Sequence, residues 1–153
     1  GLGRMCAMEI RVMTEKDYVS VYQLWVSYPD MVLDSLDNSE EEIVRFLKRN
    51  PGTCLVALED ESFIGTILIG TDGYRAYIYH VAVHPYFRRK GVGKALVEQA
   101  LSAVKKLGIH KVSLVGFEKN QQANLFWEKM GFSARNDRLY QNQERAEMIR
   151  QDT

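Results

Sequence analysis

Apolar positions along the chain change period repeatedly, and the changes mark its elements. Residues Glu9 to Met13 alternate polar and apolar, as a half-buried strand does. Thr14, a helix-capping type with Asp17 three residues on, opens a stretch in which Val19, Tyr22, Trp25 and Val26 recur at helical spacing, so a helix is expected over 15–27, stopped by Pro29. Residues 30–38 read as an acidic loop. Ser39 then caps a second helix with Glu40, Glu41 and Glu42 in its first turn, where the helix dipole favours negative charge, and Asn50-Pro51-Gly52 ends it. From Thr53 the period falls to two. Strands are expected over 53–59, 62–70 and 76–83, the first two joined through Asp60-Glu61 as a hairpin. Pro85 stops the third, because proline cannot continue a ladder. Val92, Leu96, Val97, Ala100, Leu101 and Val104 form the stripe of a long helix closed at Gly108. A strand over 111–115, a helix over 121–130 ended by Gly131, and a closing strand or two over 132–141 follow, and the tail from Asn142 is polar. The order β, α, α, β, β, β, α, β, α, β describes one mixed α/β domain with no repeat or linker.

The 153 residues suit a single domain, and 46% hydrophobic content fills a core. Twenty Lys plus Arg balance twenty Asp plus Glu, which argues against a protein that coats nucleic acid or anionic membrane. The two cysteines, Cys6 and Cys54, are too few for a disulfide framework or a zinc site, and no metal is expected. No apolar run is long enough to span a bilayer and no signal peptide is evident, so the cytoplasm is the expected location. Gly1 to Ala7 reads as a tag remnant or extension ahead of Met8, leaving 8–153 as the domain.

The chemistry concentrates between Val81 and Leu96, in the run Val81-Ala82-Val83-His84-Pro85-Tyr86-Phe87-Arg88-Arg89-Lys90-Gly91-Val92-Gly93-Lys94-Ala95-Leu96. A strand ends, a basic glycine-containing turn follows, and a helix begins. Unpaired N–H groups at a helix start, with the dipole behind them, attract anions. Gly91 and Gly93 remove the Cβ that would hold a ligand off the backbone, and Arg88, Arg89, Lys90 and Lys94 add charge. The ligand expected is a pyrophosphate. Two familiar phosphate loops do not fit. A Walker loop fails at Arg88 and Ala95, and a dinucleotide fingerprint from Gly91 fails at Leu96.

What fits is Arg/Gln-x-x-Gly-x-Gly/Ala, met by Arg88, Gly91 and Gly93. It resembles the first signature block of the GNAT N-acetyltransferase superfamily. Asn120-Gln121-Gln122-Ala123-Asn124-Leu125-Phe126-Trp127-Glu128-Lys129-Met130-Gly131-Phe132 resembles the second block, Asn-x-x-Ala-x-x-x-Tyr-x-x-x-Gly-Phe, at the right distance from the first. The element order agrees over nearly the whole chain, which resembles short bacterial members near the ribosomal-protein N-terminal acetyltransferases. The resemblance implies a mixed, mostly antiparallel sheet flanked by about four helices, with two neighbouring strands splayed apart, and acetyl-CoA as donor. It implies pyrophosphate on Arg88, Arg89, Lys90, Gly91, Val92, Gly93 and Lys94. The pantetheine arm pairs like an added strand with a bulged Val81, Ala82 and Val83, and one backbone N–H there polarises the thioester carbonyl. Asn120, Ala123 and Trp127 of the second block are assigned to the same cofactor. Homodimers are common in the family.

The resemblance breaks at Trp127. Many members carry tyrosine there as general acid to the departing thiolate, and an indole N–H is too weak an acid for that, so packing is its expected role. Nor does the strand 76–83 hold a carboxylate to deprotonate an amine. The candidates for that role are Tyr79 and Tyr140, ranked first as groups that orient the amine and its water, then His80 and Glu118. The expected reaction is direct acetyl transfer to a primary amine in a ternary complex. The alternative is a CoA-binding regulatory module without catalysis. Peptide N-terminus, lysine, polyamine, aminoglycoside and amino acid all stay open as acceptors.

Overall fold

A computed structural model describes residues 8–27, 38–114 and 121–133. In chain order these form β1 (Met8–Val12), α1 (Tyr18–Val26), α2 (Glu40–Arg49), β2 (Leu55–Glu59), β3 (Ser62–Thr71), β4 (Ala76–Val83), α3 (Val92–Lys106), β5 (Val112–Leu114) and α4 (Gln121–Lys129). Short 3-10 turns precede α1 at Glu15–Asp17 and follow β4 at Pro85–Phe87. The chain forms two compact units, one running to Val115 and one from Gly116. The first holds the sheet, in the order β1-β2-β3-β4-β5, antiparallel except for the parallel pair β4–β5. The second holds α4. This is the expected mixed, mostly antiparallel architecture, element by element as far as α4. The expected closing strand over 132–141 lies mainly outside the described residues, and its first two residues, Phe132 and Ser133, carry no strand. Among the described residues no helix is long and apolar enough to cross a membrane.

Local chemistry fixes the helix starts as the sequence suggests. The Asp17 carboxylate accepts the Thr14 backbone N–H at 2.8 Å and both Arg11 guanidinium nitrogens at 2.8 and 2.9 Å. This ties the end of β1 to the start of α1, and the Arg11 hydrogen bonds hold the buried carboxyl below its usual range. Ser39 Oγ accepts the Glu42 N–H at the start of α2. In the β2–β3 turn both Asp60 and Glu61 adopt positive φ, 49° and 69°, the pattern that matches the twist of a two-residue hairpin.

The sheet buries both faces. On one side α1 and α2 pack Val21, Leu24, Trp25, Ile43 and Leu47 against Val56, Leu58, Leu68 and Ala82. Trp25 Nε1 donates to Thr66 Oγ1 at 3.1 Å, so the one polar atom of this indole is satisfied inside the core. Alternation along β3 sends Gly65, Ile67 and Ile69 to the other side, where α3 lies with Leu96, Val97, Ala100 and Val104 buried.

One irregularity positions the site. Leu68 pairs with His80 and Ile69 with Ile78, so Tyr79 is an extra residue in β4. The expected bulge at Val81–Val83 is thereby corrected, because these three pair regularly with Ile67, Thr66 and Gly65. The extra residue breaks the alternation, so that Tyr79 does not share a face with Val81. Its ring meets Phe46 of α2, the side on which His80 also lies, while Val81 lies opposite Ile67 on the side of α3.

Candidate functional site

The basic turn between β4 and α3 is built to present backbone. His84 Nδ1 accepts the Tyr86 N–H at 3.1 Å and starts the Pro85–Phe87 turn. Arg88 is extended, Arg89 takes φ 65°, and Gly91 takes φ 84° as the residue before α3. The first bond of the helix runs from the Ala95 N–H to the Gly91 carbonyl at 3.0 Å. The N–H groups of Val92, Gly93 and Lys94 therefore lie ahead of the helical ladder, and no side chain caps them. Arg89, Lys90, Gly91 and Lys94 are exposed, and no carboxylate occurs between 88 and 94. Arg88 Nε donates to the Val83 carbonyl at 3.4 Å. The Lys90 ammonium stands over the Tyr86 ring, 4.6 Å from its centroid, and also faces Phe87. The turn offers amide donors, a helix dipole and several cations to one anion.

Gly65, which the sequence reading passed over, seats this helix. A Cβ built there would lie 2.9 Å from Leu96 Cδ1, 3.0 Å from Val92 Cγ1 and 3.2 Å from the Ala82 carbonyl. Only hydrogen fits where the first turn of α3 crosses β3. The signal was present in the sequence as a glycine inside a strand, a mark of close backbone approach.

Beside the turn, β5 pairs with β4 only at Ala76, Tyr77 and Ile78. Among the described residues, Tyr79 to Val83 have no strand partner on that edge. It is on this edge that the resemblance implies an extended ligand. Val81 and Val83 face α3, and Ala82 is buried on the opposite face.

The family model for the acetyltransferase (GNAT) family matches residues 18–132. The chain belongs to the GNAT family. With membership comes the enzyme class expected from the two signature blocks, acetyl-CoA-dependent N-acyltransfer. An acetyltransferase of Photorhabdus laumondii is 34% identical over 128 residues, covering 84% of this chain and 88% of that protein. The Ard1 structure from Thermoplasma volcanium is 28% identical with a TM-score of 0.73, covering 83% of each chain. The PaiA N-acetyltransferase of Thermoplasma acidophilum, solved in complex with coenzyme A, has the same fold at 21% identity and a TM-score of 0.75, covering 86% of this chain and 93% of that one.

Within this GNAT chain the base candidates divide sharply. His80 stands edge-on to Trp25, its Nδ1 is buried without a hydrogen-bond partner, and burial brings its pKa down to about 4. The ordinary histidine pKa that recommended it as a base is therefore lost to desolvation. Tyr79 is 46% exposed, and burial followed by its neighbour Tyr77 pushes its phenol above the usual value, so it stays neutral. Glu118, Tyr140 and Asn120 lie outside the described residues. Ala123 lies on α4. Trp127 is buried within the second unit, its ring edge-on to Phe126 and Phe132 at 5.0 and 5.2 Å. Cys54 is buried, its thiol pushed up to about 12 by desolvation, which removes it as a nucleophile. Among the described residues no three His, Cys, Asp or Glu side chains cluster to hold a metal ion.

Proposed function

We propose that this GNAT chain moves the acetyl group of acetyl-CoA to a primary amine by direct attack in a ternary complex. The observation that carries the reading is the uncapped start of α3, reached through left-handed Arg89 and Gly91 and flanked by exposed Arg89 and Lys94. A Cβ at Gly91 would meet nothing within 4 Å, so the backbone is open to a ligand there. The coenzyme A in the Thermoplasma acidophilum N-acetyltransferase of the same fold supports the same cofactor here.

The amides of Val92, Gly93 and Lys94, with Arg88 and Arg89, would hold the pyrophosphate, and Val81 to Val83 would hold the pantetheine arm through backbone bonds. Acetyl-CoA supplies an activated thioester when bound. The chain's own work is to fix that thioester along β4 and to present an amide N–H to its carbonyl. Neither cysteine enters the reaction. His80, with a pKa brought down to about 4, is too weak a base, and the Tyr79 phenol stays protonated, so water takes the amine's proton as the C–N bond forms and the C–S bond breaks, and Tyr79 orients the amine and that water.

Two measurements test this. Arg88→Ala should weaken CoA but leave a pantetheine fragment without phosphate unaffected, because the lost contact is to phosphate. Equal weakening of both makes Arg88 structural. Release of free thiol from acetyl-CoA across a panel of amines and peptides separates an enzyme from a CoA-binding module, and binding without turnover on any acceptor would favour the module.

A further inference from the structure

The bulge in β4 creates a second chemical surface beside the cofactor strand, and it is aromatic. Tyr79 follows Ile78, whose partner Leu114 is the last described residue of β5. The Tyr79 ring lies edge-on to Phe46 of α2, with centroids 5.5 Å apart at 85°, and 6.4 Å from the Tyr77 ring at 51°. Gly70 makes room for the group. A Cβ there would lie 2.8 Å from Phe46 Cζ and 3.3 Å from Tyr79 Cε2. Three rings tilted against one another thus form a half-exposed wall, held in place from behind by a glycine.

Charges of both signs surround this wall: Asp72 and Arg75 in the turn ahead of β4, and Arg45, Lys48 and Arg49 beside Phe46 on α2. No Lys, Arg, Asp or Glu occurs anywhere in β4. Asp72, in the turn ahead of it, accepts the N–H groups of Tyr74 and Arg75 through Oδ1 at 2.7 and 2.8 Å. These hydrogen bonds hold its carboxyl below the usual range, and its negative field reaches Tyr79. Electron-rich ring faces attract a cation without a direct ion pair.

We infer that Phe46, Tyr77 and Tyr79 form the acceptor subsite and bind an alkyl primary amine in its ammonium form through their ring faces. The inference rests on the acetyl-transfer reading above and names the acceptor's chemistry: a charged amine on an aliphatic stem, recognised by rings rather than by a carboxylate. Ring aromaticity, not the phenolic hydroxyls, carries the binding, so phenylalanine and tyrosine are interchangeable at these positions while leucine is not.

The test uses choline and its uncharged isostere 3,3-dimethyl-1-butanol, which have nearly the same shape and differ in charge. Each is titrated into the full chain and followed by ligand-observed NMR. Choline should bind at least about fivefold more tightly, the ratio that ~1 kcal/mol of cation–ring attraction gives. Phe46→Leu should erase the difference and Phe46→Tyr should keep it. Tyr77→Leu serves as the second probe should Phe46→Leu fail to fold, since Phe46 packs on Gly70. Equal binding of the two compounds, or discrimination that survives Tyr77→Leu, overturns the assignment. CoA titrated into the same samples reads the α3 turn separately. CoA binding without choline discrimination overturns the aromatic subsite alone, whereas discrimination without CoA binding overturns the acetyl-transfer reading.

Discussion

His80 lies edge-on to Trp25, ring centroids 4.8 Å apart, yet receives no hydrogen bond from it, because the indole N–H is already given to Thr66 Oγ1. The imidazole Nδ1 is left buried and unpartnered beside an apolar ring. Burial disfavours its charged form and brings its pKa down to about 4. In the unfolded chain a histidine titrates near 6.5. Between these values the unfolded state binds a proton that the folded state refuses, so stability is complete above about pH 6.5 and falls as pH drops toward 4. From this group alone, unfolding free energy by urea titration should be about 2 kcal/mol lower at pH 5.0 than at pH 7.5. His80→Phe should remove that part of the slope. A variant that keeps the whole slope would show that His80 ionises freely in the folded protein.

Gly65→Ala tests how α3 is seated. The added methyl would press on Leu96 Cδ1, Val92 Cγ1 and the Ala82 carbonyl. The leucine tip can swing aside, but the β-branched valine and the backbone oxygen cannot. Overpacking of this kind costs about 1–3 kcal/mol and here lifts the helix whose first turn is proposed to hold the cofactor. Thermal denaturation should show the loss, and CoA affinity should fall with it. An unchanged CoA affinity would mean that the start of α3 does not depend on this contact.

How far the sequence carried this picture depends on whether a feature is local. The limits of β4, the Ser39 cap of α2, the Asp17 contact at Thr14 and the turn before α3 are decided by residues within a few positions of one another, and all were legible. The bulge at Tyr79 was not, because Ala76-Tyr77-Ile78-Tyr79 alternates regularly and a bulge belongs to the register between two strands. His80 looked like a base because its burial comes from Trp25 in a distant helix. Gly65 looked ordinary until α3 lay across it. The family and the basic turn before α3 were read from motifs, while the aromatic wall of Phe46, Tyr77 and Tyr79 joins two elements that only tertiary packing brings together.

The cradle is best probed at Gly93 rather than Gly91. Gly91 sits at φ 84°, so Gly91→Val strains the backbone by about 1–2 kcal/mol whether or not a ligand binds there. Gly93 lies inside α3, where valine costs less than about 1 kcal/mol of helix propensity relative to alanine. Gly93→Val should therefore fold, and calorimetric titration should show CoA weakened about 100-fold, the equivalent of one lost hydrogen bond to a charged group. Full affinity in a folded Gly93→Val protein would remove the phosphate assignment from this turn.

Trp127 is expected to pack rather than to protonate the thiolate. The indole is buried between Phe126 and Phe132, and the Phe132 N–H donates to the Trp127 carbonyl at 2.9 Å as α4 ends. A ring in that setting fills volume. Its N–H is far too weak an acid to protonate a thiolate, whose own stability as a leaving group lets water serve instead. Trp127→Phe keeps an aromatic ring and removes only the indole N–H and part of the volume. Turnover at saturating acetyl-CoA and acceptor should stay within about tenfold of the parent, with melting temperature lowered by the smaller ring, since a positioned proton donor accounts for roughly 10²–10⁴ in rate. A loss within that larger range, at unchanged melting temperature and unchanged CoA affinity, would assign the indole N–H to the leaving group and overturn the packing role.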